Sequence, residues 1–208
     1  MKTTTKMTAG QPLPGTRQSV PDLEEQVAYQ RAFEAVVWAI PALAIHRFRE
    51  GLYEVPGVED NVVLAFSGTL KARHEVITAN TAVPYISAFT DLRKGPMVVE
   101  VPAATDKASL YGQVVDAWQV TIAAVGPSGP DKGAGGKYLF IPPGYQDAIP
   151  EGYFPIRSTS YRLALAFRSV PGKGASQADA YAYTKTLKVY PLSEADNPKP
   201  TRFVDGFP

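Results

Sequence analysis

The chain has no cysteine, which excludes disulfides, thiolate metal sites and a cysteine nucleophile. It has only two histidines, His46 and His74. They fall in different segments, with neither HxxxH nor HxH spacing, so they cannot build the clustered imidazoles of a histidine-rich metal site. No metal and no cofactor is expected. An excess of one charge is missing as well: 21 Lys and Arg against 20 Asp and Glu leave a net charge of +1. With no block of like charge, there is no electrostatic case for nucleic acid or an anionic membrane as partner. Long hydrophobic runs are absent. The densest apolar window, Ala35 to Ile45, is interrupted by Pro41 and falls well short of the roughly 20 residues of a bilayer span. The basic start Met1-Lys2-Thr3-Thr4-Thr5-Lys6 is not followed by an apolar stretch. A cytoplasmic location is therefore expected, or a periplasmic one if a signal has been removed.

What the 208 residues do contain is 17 Gly and 19 Pro punctuating short β-prone runs. Residues 1 to 20 read as a flexible Thr/Gly/Pro-rich arm. A helix follows, with Ser19 or Asp22 as N-cap, Pro21 near its first position and Glu24 and Glu25 in its first turn. Phe33 to Ile45 is apolar nearly all round, which predicts a helix buried in the fold. Pro41 is expected to kink or end it, with a second helical piece closing at Gly51. Strands are predicted at Asn61–Phe66, His74–Thr78, Val83–Asp91, Met97–Val101, one long run Leu110–Val125, Tyr138–Ile141, Tyr153–Arg157 and Tyr161–Phe167. A short helix is predicted within Ser176–Leu187. Turn signals about every ten residues favour a mainly β fold, an antiparallel jelly-roll-type sandwich, over a parallel α/β sheet. The domain reading is an arm (1–20), one jelly-roll-like domain with its N-terminal helix (21–195) and a Pro-rich linker (196–208).

The order of several short motifs is more specific than any one of them. These include Asn80-Thr81 through Tyr85, Phe89-Thr90-Asp91-Leu92, Gly95-Pro96-Met97-Val98-Val99-Glu100-Val101-Pro102, and Asp116-Ala117-Trp118. Further on come Gly135-Gly136-Lys137-Tyr138, Pro142-Pro143-Gly144-Tyr145, Pro150-Glu151-Gly152-Tyr153 and Val189-Tyr190-Pro191-Leu192-Ser193. In this sequence, over most of residues 28 to 195, the chain resembles a bacterial family known as domain of unknown function 1254. The resemblance implies a jelly-roll-like β domain that forms the first half of a two-domain protein. The second half would be a companion 1214-type domain, missing or truncated here. It implies no activity.

Among side chains that could carry chemistry, Asp116 stands out. Extended backbone places Val114, Asp116, Trp118 and Val120 on one face. An inward carboxylate there needs a partner, for which Arg157, Arg162 or Tyr161 are available, or a raised pKa. It reads either as a pocket acid or as an internal structural clamp. Asn80, Thr81 and Tyr85 read either as turn residues or as a polar, aromatic rim beside Trp118. The stretch from Gly126 to Gly136 is not a phosphate loop, since Tyr138 follows Gly136-Lys137 and no βαβ context surrounds it. It reads as a flexible surface loop or lid. No GxSxG elbow is present.

The leading expectation is a small-molecule-binding β domain, with Asn80, Thr81, Tyr85, Asp116, Trp118 and Arg157 around the ligand. One alternative is a metal-independent hydrolase or lyase, with Asp116 as acid/base and Tyr85 or Arg157 stabilising charge. Another is an assembly module that docks a second domain or a second copy in a homo-oligomer.

Overall fold

A computed structural model describes residues 20–70 and 81–207. The expected strand His74–Thr78, the expected arm, Ser19 and Asn80 lie outside the described residues. The chain opens with helix α1, Val20–Tyr53, followed by strands β1 (Val63–Ala65), β2 (Tyr85–Asp91), β3 (Met97–Val101), β4 (Ala108–Asp116) and β5 (Thr121–Val125). Next come β6 (Gly136–Ile141), β7 (Tyr153–Arg157), β8 (Arg162–Pro171), helix α2 (Gln177–Thr184), β9 (Lys188–Pro191) and β10 (Phe203–Asp205). The fold is mainly β, with a long N-terminal helix and a short C-terminal one.

The strands form two sheets, one ordered β10-β1-β2-β8-β4-β5 and the other β7-β6-β3-β9. Neither closes on itself. Most pairings are antiparallel, but β1 with β10 and β6 with β7 run parallel, so the sheets are mixed where an antiparallel sandwich was expected. The parallel pair β1/β10 also changes the reading of the tail. Phe203–Asp205, expected as linker, adds an edge strand to the larger sheet, and Asp205 accepts a hydrogen bond from the Ser67 amide at 3.1 Å.

Strand alternation separates the two faces of the larger sheet. Ile86, Ala88, Leu163, Leu165, Phe167, Leu110 and Val114 point inward and join Val99, Val101, Tyr138 and Phe140 of the smaller sheet in one core. Ser176 caps α2 by accepting from the Asp179 amide, and Asp179 accepts from the Ser176 amide in return. This reciprocal box starts a helix of only two turns.

Two predicted elements take a different form. The long strand Leu110–Val125 is a hairpin, β4 and β5, broken at residues 117–120 where Gln119 has φ +63°. Helix α1 runs unbroken through Pro41 and Gly51, and it is not buried. Only its last part packs on the sheet, where Ile45, Leu52 and Tyr53 cover Phe89, Val115 and Ala164. The reason is length. A helix of 34 residues extends about 51 Å, whereas the longest strand, with 10 residues, extends about 33 Å. One sheet face cannot cover it all.

Candidate functional site

A cavity of about 340 Å³ opens on the outer face of the larger sheet. Register fixes which side chains face it. Tyr85 on β2 lies opposite Arg168 on β8, which lies opposite Tyr111 on β4. One step along, Ser87, Ala166, Gln113 and Ala124 form a second row across β2, β8, β4 and β5. Directly opposed residues share a face, so both rows look outward. The two alanines keep the floor low while the tyrosines and the arginine stand up around it. Phe48 of α1 and Ser128, in the turn after β5, complete the rim.

Gly112 lets β4 approach β8 at this level. A Cβ there would stand 2.3 Å from the Ala166 carbonyl oxygen and 2.7 Å from the Phe167 Cα. The Gln113 amide is held by Thr121, whose hydroxyl donates to Oε1 at 2.9 Å. That bond leaves the Gln113 NH₂ group as a donor. The Arg168 guanidinium lies 5.2 Å from the centre of the Tyr85 ring, a cation–π contact. Among the described residues no carboxylate pairs with Arg168, and no Asp or Glu lines the cavity. The site therefore offers one cation, hydroxyl and amide groups, and three aromatic rings.

The sequence-predicted residues do not gather here. Tyr85 alone lines the cavity. Asn80 lies outside the described residues, and Thr81 is exposed in a bend before β2. Asp116 is buried as expected, at 3% exposure, but its partners are not Arg157, Arg162 or Tyr161. Its Oδ1 accepts from the amides of Trp118 (2.8 Å) and Val120 (2.9 Å), and Oδ2 from the Thr159 hydroxyl (3.3 Å). An aspartate bonding amides two and four residues ahead fastens the hairpin turn, which is the structural clamp. It is in register with Leu163, five residues from Arg168, or about 17 Å along the strand. Trp118 is not on the strand; its ring packs 4.5 Å from that of Trp38 on α1. Arg157 ends β7 in the other sheet, exposed, and donates to the Tyr145 carbonyl at 3.3 Å.

The glycine-rich segment after β5 is pinned where a free lid was expected. Asp131, buried, accepts from the amides of Gly126 (2.9 Å), Gly133 (3.2 Å) and Gly135 (3.3 Å), and from the Tyr138 hydroxyl. Burial, then the bond to Asp131, pushes the Tyr138 phenol above its ordinary range. This clamp holds Ser128 at the cavity rim.

Arg168, Tyr111, Gln113 and Ser128 were missed by the sequence reading. The signal present was the alternation Tyr111-x-Gln113 and Tyr85-x-Ser87, polar or amphipathic on every second residue of strands whose other face is apolar.

No curated protein matches this chain. In three dimensions it is similar to the VPA0106 protein from Vibrio parahaemolyticus, a crystal structure, with a TM-score of 0.61 at 16% identity. The match covers 84% of this chain and 41% of that one, so the chain spans less than half the length of its structural neighbour. At that identity the likeness speaks for the fold alone. Residues 61–191 match the family described as "Protein of unknown function (DUF1254)"; these are well over half of the chain, and the protein belongs to that family.

Proposed function

We propose that this domain binds a small organic anion, a carboxylate or phosphate ester with an apolar body, in the cavity around Arg168. The observation that carries this reading is an arginine set on an aromatic ring in a concave site, with no carboxylate partner and no acid in the lining among the described residues. Guanidinium groups pair with carboxylate and phosphate through two parallel bonds. Tyr85, Tyr111 and Phe48 supply apolar walls for the remainder of the ligand, and Gln113, Ser87 and Ser128 supply donors that fix its orientation. At about 340 Å³ the cavity is at the lower end of the roughly 300–1,000 Å³ range of ligand sites, which suits a compact metabolite. No catalytic step is assigned: among the described residues the lining holds no Asp, Glu, His, Lys or Cys.

The test is calorimetric titration with aromatic and aliphatic carboxylates, their phosphate counterparts and neutral amides of the same shape. Anions should bind and the matched amides should not. Arg168→Met should abolish the heat of binding. Equal binding of amides and acids, or an unchanged affinity in Arg168→Met, would contradict the reading.

A further inference from the structure

We infer that the cavity around Arg168, taken as the anion site proposed above, selects a short-chain monocarboxylate whose tail ends against Phe48 of helix α1. The outer face of the larger sheet is a series of rows, two residues apart along the strands. Tyr85, Arg168 and Tyr111 make the first row, and Ser87, Ala166 and Gln113 the second. Phe89, Ala164 and Val115 make the third. The first two rows line the cavity, whereas the third lies under Ile45, Leu52 and Tyr53 of α1. Two alanines on β8 mark the boundary. Ala164, in the third row, is 1% exposed. Ala166, on the same face one row nearer Arg168, is open to solvent.

Phe48 stands at that boundary because of where it falls on the helix. Ile45, Phe48 and Leu52 are spaced three and four residues apart, so they share one face of α1. Ile45 and Leu52 pack on the third row. The Phe48 ring lies 5.7 Å from that of Phe89 in the same row, and it also lines the cavity. A chain held at Arg168 therefore runs over the low floor of Ala166 and Ala124 and meets an aromatic end wall. From Arg168 to Ala166 is about 7 Å along the strand, and to Ala164 about 14 Å. The tail has a space between one and two rows long.

Charge fixes the head group. Arg168 is the one cation in the lining among the described residues, and a single guanidinium matches one carboxylate through two parallel bonds. A second carboxylate at the far end of the ligand would lie against Phe48 and the covered row, losing hydration with no partner gained. A phosphate monoester brings a charge of about −1.5 to −2 and three acceptor oxygens, for which the lining holds no second cation.

Calorimetric titration with linear carboxylates from acetate to decanoate, and with the matching dicarboxylates, tests this selection. Affinity should rise by up to about fourfold per methylene and pass through a maximum between butanoate and octanoate. Beyond it affinity should fall at least about fivefold, the effect of overfilling a packed site. Each dicarboxylate should bind at least about tenfold more weakly than the monocarboxylate of the same length. Phe48→Ala should move the maximum to a longer acid and Phe48→Trp to a shorter one, opposed shifts that a residue merely steadying the helix would not give. Phe48 is 44% exposed, so neither change disturbs the core between the sheets. Arg168→Met should abolish binding at every length.

Three results overturn the selection: affinity that climbs steadily to decanoate, a maximum that both Phe48 variants leave in place, or dicarboxylates that bind as well as monocarboxylates. With binding still lost in Arg168→Met, each of these leaves the anion site itself standing. Failure of every acid to bind, or binding that survives Arg168→Met, overturns the anion site and the selection together.

Discussion

Strand β8 carries two arginines on the same outward face, Arg162 and Arg168, and their surroundings are opposite. Arg162 is paired with two carboxylates. Its Nη1 donates to both Asp60 oxygens at 2.8 Å each, and Nη2 lies 3.1 Å from Asp91. Asp60 also accepts from the Tyr53 hydroxyl at the end of α1, so this arginine helps tie the helix to the sheet. Arg168, six residues on and about 20 Å away along the strand, has an aromatic ring beneath it and a cavity in front. A neutralised arginine holds the fold together; one with no acid beside it among the described residues, in a concave site, is open to a ligand. The contrast, more than either residue alone, is what supports the proposed anion site on this face.

The contrast yields an ordered set of expectations. The largest effect belongs to the other face. Phe167→Ala, adjacent to Arg168 but directed into the core, should cost about 3–5 kcal/mol in denaturant unfolding. An effect under about 1 kcal/mol would mean that the inner face is not the tight core described. Next is Asp131→Ala, which strands three amides and the Tyr138 hydroxyl around a buried site. It should cost about 2–3 kcal/mol and weaken ligand binding as well, because Ser128 loses its support.

Arg162→Met should cost about 1 kcal/mol, discounted because its ion pairs are partly exposed, and leave anion affinity unchanged. It should also alter the acid response. Burial opposes ionisation of Asp91, but hydrogen bonds from Arg93 and the charges of Arg162 and Arg93 outweigh it and hold the carboxyl below its ordinary range. A carboxyl depressed in the folded state contributes stability above its unfolded pKa of about 3.9, and loses that contribution as pH falls through the folded value. Unfolding free energy measured from pH 5 downward should therefore decline less steeply in Arg162→Met than in the parent. The smallest effect on stability is expected for Arg168→Met, within about 0.5 kcal/mol. A large loss of stability there would place Arg168 with Arg162 as a structural residue.

Local chemistry explains which parts of this were legible in the sequence. Met97–Val101 lies between Pro96 and Pro102, and Tyr153–Arg157 between Gly152 and the Ser158-Thr159-Ser160 turn, so their limits could be read directly. The burial of Asp116 was legible from its apolar neighbours. A structural clamp was one of the two roles read for it, but its partners were not legible, because a period of two was carried through residues 117–120, where the chain turns. The all-round apolarity of Phe33–Ile45 suggested burial, yet its large side chains, Phe33, Val36, Val37, Trp38, Ile40 and Leu43, stand about half exposed or more, because the sheet face is too short to cover the helix. Arg162 and Arg168 are indistinguishable in sequence. Only the pairing of β2 with β8 and the placement of Asp60 beside that edge decide which of them is neutralised.

The most direct test is a crystal structure of the protein grown or soaked with an anion selected by calorimetry. The account predicts the anionic group within hydrogen-bonding distance of the Arg168 guanidinium, with its apolar part between Tyr85, Tyr111 and Phe48. An anion bound elsewhere, or Arg168 engaged by a carboxylate of the chain itself, would contradict it.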